Sequence, residues 1–408
     1  MASGWRPILS GELAERARQA VSDIARTIVA AEPEDASLVH GAAGYALFLS
    51  YYAGAFDDER AAGRAGELLE WAGRQLAEQP MASGLYAGFT GVAWTVEHIA
   101  GATPGDPDDP NQEIDEALAE LVGQRPWTGD YDLVGGLVGI GIYALERLPR
   151  PAAAAILERV LDQLESLAER GEPGLASWET PRALMSPAQR ELNPDHARNL
   201  GVAHGIPGVL GLLARLAARG VAPERARALF EAGAAWLWAQ RLPDRGGRRF
   251  ASMQIETVPT RLAWCYGDLG IAAALLAAAR AIESPRWESE ALALALAAAR
   301  PSEDSGVGDA CLCHGALGNG HLFNRLFQAT GDERFRHVAL ESIERGLSMR
   351  RAEAAAAGFL AWDPVAHAFA PSLDFLVGAT GIGLVLLAAL SGDVPAWDRT
   401  LLVDIPGP

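Results

Sequence analysis

The chain has 408 residues, half of them hydrophobic, and a formal net charge of −18, so it can bury a large core but lacks the basic surface that binds nucleic acid. Three cysteines in so long a chain do not form a disulfide framework, which predicts a reducing, cytoplasmic location. The start of the chain has no signal-peptide hydrophobic region. The longest apolar stretch, 376–390, is shorter than the ~20 residues that span a bilayer, so we expect a buried helix and no transmembrane segment.

Going along the chain, a G-x-x-G element recurs seven times, and each copy leads into an apolar run rich in Ala and Leu. The first glycines of the elements are Gly41, Gly88, Gly136, Gly205, Gly267, Gly315 and Gly378. Their partners are Gly44, Gly91, Gly139, Gly208, Gly270, Gly318 and Gly381. Self-similarity at a nearly fixed spacing indicates a repeat architecture.

Charged, amphipathic stretches precede the glycine elements and predict outer helices with one wet face. Six of them are 11–31, 60–78, 152–170, 223–240, 285–300 and 332–350. The runs after the glycines, such as 209–217 and 271–279, are apolar all round and predict buried inner helices. Seven outer–inner hairpins without a polar capping repeat favour a closed, all-α double barrel, an α/α toroid, over an open solenoid.

We expect the toroid to occupy 1–408 as a single domain, with room for a small insert within 170–199. The longer intervals 170–199, 243–260 and 357–372 are expected to form the wall of its mouth. Seven copies of G-x-x-G at one repeat position indicate close helix packing, since a lone G-x-x-G is only weak evidence for phosphate binding.

The repeats align equivalent positions without any homologue. Cys265 and Cys313 each lie two residues before a first glycine, and His314, His204 and His40 each lie one before. Asp132 lies four before Gly136. Because equivalent positions occupy the same end of a toroid, we expect these groups to converge at one mouth. Adjacent repeats bring Cys265 together with Cys313 and His314.

Two thiolates and one imidazole are three ligands for Zn²⁺, and three protein ligands leave the fourth tetrahedral position open, as in catalytic sites. His204 is either a structural histidine at a helix start or a catalytic group. Asp132 is either a helix cap or the partner of His204. Arg261 either forms a salt bridge on a loop or belongs to the active site. Tyr266 either belongs to the hydrophobic core or to the active site. Cys311 is interpreted as a small buried hydrophobe facing away from Cys313, and His40 as structural. We expect structural roles for the remaining histidines, which are His98, His196, His321, His337 and His367.

At these residues the sequence resembles the lanthionine synthetase C-like family of lanthipeptide cyclases. The resemblance covers nearly the whole chain and is most specific at 199–208, at Arg261 with Trp264-Cys265-Tyr266-Gly267, and at Cys313-His314-Gly315. It implies an α/α toroid of the stand-alone type. It further implies Zn²⁺ bound by Cys265, Cys313 and His314, with His204, Asp132, Arg261 and Tyr266 as the other active-site residues.

The implied reaction adds a peptide cysteine thiol to dehydroalanine or dehydrobutyrine and forms a thioether ring. The nucleophile must be a thiolate, which a zinc ion in an open site supplies. His204 is then the general acid, Asp132 orients it, and Arg261 stabilises the enolate. The implied partners are a dehydrated precursor peptide and a dehydratase and transporter of the same pathway.

Three other functions fit parts of the sequence. A protein prenyltransferase β-type subunit needs a basic diphosphate site and an Asp–Cys–His metal set, which the acidic chain and its Cys–Cys–His set disfavour. A glutathione-adding member of the same family remains an alternative. So does a non-catalytic peptide-binding scaffold with structural zinc, although structural zinc requires a fourth ligand.

Overall fold

The fold alternates outer and inner helices around one ring. The computed structural model describes residues 4–101, 109–182, 185, 190–191, 196–300, 306–351, 355–363 and 366–407. The outer helices are α1 (Gly11–Ala30), α3 (Glu59–Glu78), α5 (Gln112–Gly123), α7 (Pro151–Leu167), α9 (Pro223–Ala239), α11 (Pro285–Ala298) and α13 (Glu333–Ser348). The inner helices are α2 (Ala42–Phe56), α4 (Phe89–Ala100), α6 (Leu137–Glu146), α8 (Ile206–Ala218), α10 (Asp268–Ala281), α12 (Ala316–Thr330) and α14 (Ala379–Leu390).

The two sets of helices differ in burial as their hydrophobic patterns predict. In the outer helix α1, the buried residues form one stripe that includes Ala17, Val21, Ile24 and Ile28. In the inner helix α10, every residue from Asp268 to Ala279 is buried. Each inner helix contacts the next one along the chain, and α14 contacts both α1 and α2. The ring is therefore closed, and the predicted α/α toroid is confirmed.

The glycine elements mark the start of every inner helix. The first glycine of each element is the N-cap residue of its inner helix. A Cβ on the second glycine would overlap the backbone carbonyl of the preceding loop, as Gly91 would with Leu85 and Gly318 with Leu312. The glycines therefore make room mainly for the backbone of their own loop. Close approach to the neighbouring repeat is secondary and occurs at Gly139, where a Cβ would lie 2.8 Å from Leu85 Cβ.

The seven loops before the inner helices are joined to one another by backbone hydrogen bonds that run around the whole mouth. Cys313 N–H donates to Leu376 O at 2.9 Å, and Phe375 N–H donates to Val39 O at 2.7 Å. The other links run from Val39 to Tyr86, from Tyr86 to Val134, from Leu133 to Ala203, from Ala203 to Cys265 and from Trp264 to Cys313. This ring fixes the position two residues before each first glycine, where Cys265 and Cys313 lie.

The C-terminal segment fills the interior of the inner barrel. It contains a 3₁₀ helix, Ala396–Leu401, followed by the buried residues Leu402 and Val403. Trp264 Nε1 donates to Leu401 O at 2.9 Å, and Tyr86 Oη donates to Thr400 O at 2.9 Å. These contacts support the mouth loops from below, so the open end of the barrel is the end at which the inner helices begin.

The longer loops carry the little β-structure that the described residues form. Strand β1 (Thr180–Pro181) pairs with β2 (His196–Ala197), and β3 (Leu360–Asp363) pairs with β4 (Ala368–Pro371), both antiparallel. A bridge between Asn199 and Met253 joins the loop that contains β1 and β2 to the loop at 243–260. A second 3₁₀ helix, Ala356–Gly358, precedes β3. Within 170–199, where a small insert is expected, residues 183–184, 186–189 and 192–195 lie outside the described residues. Within the described part of the chain, no helix combines the length and the apolar character needed to cross a bilayer.

Candidate active site

Two cysteines and a histidine from adjacent repeats meet at the mouth. Cys265 precedes α10, and Cys313 and His314 precede α12. Their ligand atoms, two sulfurs and one imidazole nitrogen, all lie within 4.8 Å of one another. The backbone N–H groups of Trp264 and Cys265 donate to Cys313 O at 3.1 and 3.4 Å, which holds the two loops together.

The arrangement fits a tetrahedral metal ion. Zn–S bonds of about 2.3 Å and a Zn–N bond of about 2.0 Å place ligand atoms roughly 3.5–4 Å apart, so small side-chain rotations suffice. Cys265 is buried, whereas Cys313 and His314 are partly exposed. Across the described ranges, no fourth His, Cys, Asp or Glu completes this group. A bound metal would keep one position open toward the mouth.

The surroundings of Cys265 favour a thiolate. The hydrogen bond with Cys313 lowers the pKa of the Cys265 thiol, and the His314 and Arg261 charges add to this effect against the opposing effect of burial. A sulfur that ionises readily is the form that binds a soft or borderline metal ion.

Asp309 is a buried carboxylate beside His314 that the sequence analysis did not select. Its Oδ2 lies 3.6 Å from His314 Nε2, and its Oδ1 accepts the Cys311 N–H at 3.0 Å. Burial opposes protonation of His314, but the carboxylate of Asp309 and the sulfur of Cys265 outweigh it and raise the pKa of His314 to about 12. A carboxylate on the far nitrogen of a histidine ligand orients the ring and makes it more basic. Asp309 therefore lies where it could orient the His314 ring if that ring binds a metal.

A signal for Asp309 is present in the repeats. It lies six residues before its first glycine, a position that holds Asp35, Asp130 and Asn199 in other repeats. Each of these side chains accepts the backbone N–H two residues further on, as Asp309 does from Cys311. The position forms a loop turn, and in one repeat the same carboxylate also reaches a metal-ligand candidate.

Cys311 is buried, as expected of a small hydrophobe, but it lies next to one of the three candidate metal ligands. The His314 backbone N–H donates to the Cys311 sulfur at 3.4 Å, and Cys311 forms a second group with Asp309 and His314 within 4.8 Å.

His204 and Asp132 form a second unit of the site, which bridges two neighbouring repeats. His204 Nδ1 lies 2.5 Å from Asp132 Oδ2, and Asp132 Oδ1 accepts the Gly135 N–H at 2.8 Å. Burial lowers the pKa of His204, but the hydrogen bond to Asp132 and the charges of Asp132 and Asp130 outweigh it, and the net pKa is raised. The imidazole is 43% exposed, and its Nε2 has no partner among the residues described. It is held at one nitrogen and free at the other.

Tyr266 and Arg261 lie on the loop that carries Cys265. Asn199 Nδ2 donates to Tyr266 Oη at 3.1 Å, and burial raises the pKa of Tyr266 to about 12, so the phenol stays protonated. Arg261 is half-buried, and its charge contributes to lowering the pKa of the Cys265 thiol. At Cys313 the same charge is outweighed by the hydrogen bond with Cys265 and by burial, and the pKa of that thiol is raised. The Arg261 guanidinium forms no ion pair with any residue that the structure describes.

Most other histidines lie away from this site. His98 is bound between Tyr51 and Glu146 near the opposite ends of the inner helices, and His321 is fully buried against Asp398. His337 pairs with Glu341 on the outer helix α13, and His367 is exposed in the β3–β4 hairpin. The side chain of His196 lies outside the described residues.

Comparisons with known proteins identify a matching family and a similar solved structure. A family model described as lanthionine synthetase C-like protein matches residues 32–402. A solved structure, nisin cyclase, superposes with a TM-score of 0.75 at 20% sequence identity, covering 95% of this chain and 97% of that one. A search of curated proteins gave no significant match.

Proposed function

This chain belongs to the lanthionine synthetase C-like family, and on that basis we propose that it is a lanthipeptide cyclase. In the proposed reaction, the thiol of a peptide cysteine adds to dehydroalanine or dehydrobutyrine and closes a thioether ring. The observation that carries the proposal is the three-ligand group of Cys265, Cys313 and His314 at the same mouth as the His204–Asp132 pair. The similar solved structure is named a cyclase, which agrees with it.

The donor set fits zinc, and Cys265, Cys313 and His314 would hold it. When bound, the ion would lower the pKa of a substrate thiol at its open position and keep that thiol as a nucleophilic thiolate. Asp309 would keep the His314 ring in its ligand orientation.

The remaining residues would manage the proton and the charge of the addition. The thiolate sulfur forms a bond to the β-carbon, and the π electrons of the dehydro residue move to an enolate. His204 donates its Nε2 proton to the α-carbon, because Asp132 holds Nδ1. Arg261 and the protonated Tyr266 provide positive charge and a hydrogen-bond donor for the enolate oxygen.

The proposed partner is a dehydrated, cysteine-containing precursor peptide. A dehydratase would have to supply that peptide, and a transporter of the same pathway would remove the product. We also infer a reducing compartment such as the cytoplasm, because oxidation of the adjacent Cys265 and Cys313 sulfurs to a disulfide would abolish the ligand set. The closed ring of helices supports the proposal that the chain acts as a single cyclase domain.

The test measures free thiols, because cyclisation does not change the peptide mass. A dehydrated precursor is incubated with the protein, alkylated and analysed by mass spectrometry. The protein should remove one alkylatable thiol per ring faster than Cys265→Ala and faster than buffer alone. Equal rates in all three samples would refute the proposal. Faster addition of glutathione to the peptide, seen as a gain of its mass, would replace it with the glutathione-adding function.

A further inference from the structure

A second histidine–carboxylate pair repeats the geometry of His204 and Asp132 at another place on the mouth. His40 lies one residue before Gly41, and Asp374 lies four before Gly378, the same repeat positions as His204 and Asp132. His40 Nδ1 lies 3.2 Å from Asp374 Oδ2. As in the first pair, the carboxylate comes from one repeat and the imidazole from the next one around the ring.

Exposure separates these two pairs from the buried histidine–carboxylate pairs of the chain. The His40 side chain is 54% exposed and that of His204 is 43% exposed, whereas His98 is 7% and His321 0% exposed. In the described part of the chain, Nε2 of His40 has no hydrogen-bond partner, as is also true of His204. Both imidazoles are thus oriented at Nδ1 and available at Nε2.

Local contacts fix the second pair in place. The backbone N–H of His40 donates to Ser37 Oγ at 3.1 Å, and that of Asp374 donates to Ser372 Oγ at 3.1 Å. These turns hold both partners on loops that the mouth-wide ring of backbone hydrogen bonds already connects.

The two pairs flank the metal-ligand loops on opposite sides. The loop of His204 is bonded to that of Cys265 through Ala203 N–H and Cys265 O. On the other side, Cys313 N–H donates to Leu376 O beside Asp374, and Phe375 N–H donates to Val39 O beside His40. A peptide bound over Cys265 and Cys313 would have one imidazole on each side.

We propose that His40, held by Asp374, is a second proton donor for the ring-closing reaction. This inference rests on the proposed function. Sulfur bonds to the β-carbon, the π electrons form the enolate, and the α-carbon takes a proton from His40 Nε2, which solvent then restores. Because His40 and His204 lie on different sides of the ligand loops, they would protonate opposite faces of the enolate. Their relative use would then set the configuration at the α-carbon.

The experiment compares His40→Ala, His40→Gln and Asp374→Asn with the unmodified protein, using His337→Gln on the outer helix as the matched control. Each ring is followed by thiol alkylation in single turnover, and the α-carbon configuration is read by chiral chromatography of the hydrolysed product. We expect His40→Ala and His40→Gln to slow at least one ring about 10-fold or more and to change its diastereomer ratio. Asp374→Asn should act in the same direction, and His337→Gln should have no effect.

Glutamine separates proton transfer from structure, since it can still hydrogen-bond Asp374 but has no acidic proton to give. Unmodified rate and configuration in His40→Gln would overturn the inference, even if His40→Ala were impaired. If the unmodified protein itself closed no rings, the proposed function would fail instead.

Discussion

Replacing Asp132 by Asn tests the His204–Asp132 pair most selectively. The amide oxygen of Asn can still accept the Gly135 N–H, now at 2.8 Å, so the loop turn is retained. The substitution removes the negative charge 2.5 Å from His204 Nδ1. It therefore changes the partner of the imidazole and little else.

The size of the effect follows from these contacts. A buried hydrogen bond to a charged group contributes about 1.5–3 kcal/mol to the free energy of unfolding, but solvent screens the 43% exposed His204, so the expected loss for Asp132→Asn is about 1 kcal/mol. Asp132→Ala should lose about 1 kcal/mol more, because the turn at Gly135 also loses its acceptor. The cyclisation rate should fall roughly 10²-fold or more if His204 is the general acid.

The pH dependence gives the sharpest readout. Burial lowers the pKa of His204 and Asp132 raises it above the ordinary value. A raised folded-state pKa means that the pair stabilises the fold at pH below the unfolded pKa and loses this contribution as the pH rises through the folded one. Without the Asp132 charge the pKa falls, so the alkaline decline in activity should move to lower pH.

The assay is a pH–rate profile of thiol consumption, with the pKa of His204 followed by NMR and the metal content by elemental analysis. Full metal content with a shifted profile is the expected result. A profile that superposes on that of the unmodified protein would refute the role of the pair, and loss of metal would identify His204 as part of the ligand set.

Three further predictions concern the metal and the fold. Cys313→Ala should lose the bound metal and all enhancement of ring closure, measured by elemental analysis and thiol alkylation, and full metal occupancy in this variant would contradict the ligand assignment. Asp309→Asn should weaken metal affinity about 10- to 100-fold in a competitive chelator titration while leaving the ligands in place, and unchanged affinity would show that the carboxylate serves only the turn at Cys311. Gly91→Ala should lower the free energy of unfolding by about 3 kcal/mol, because its Cβ would overlap Leu85 O. The control Gly54→Ala in α2, where a Cβ meets nothing within 4 Å, should be neutral or stabilising. Equal stabilities of the two variants would refute the packing role of the glycines.

The sequence predicts the toroid because the same physical requirement is repeated seven times. Each inner helix must begin beside its own loop carbonyl, and glycine leaves room for it. The glycines therefore reveal both the helix starts and the aligned positions of Cys265, Cys313 and His314. Convergence at one mouth follows from the repeat geometry alone.

Other features lack such a periodic signal. In the outer helix α5 the buried face contains the carboxylate of Asp115, which accepts from Arg147 Nη2 at 2.6 Å in the interior, and hydrophobic periodicity does not predict such a buried ion pair. The segment 396–405, which fills the barrel, has no helical pattern from which its burial could be predicted. His40 and Asp374 lie near opposite ends of the chain, and only closure of the ring brings them together.

The central claim is that Cys265, Cys313 and His314 hold a metal whose remaining position binds the substrate thiol. X-ray absorption at the zinc edge counts the sulfur ligands directly. The account predicts two sulfurs per zinc in the protein alone, from Cys265 and Cys313, and three after addition of a dehydrated peptide that carries a free cysteine. A count that stays at two in the presence of saturating peptide would contradict it.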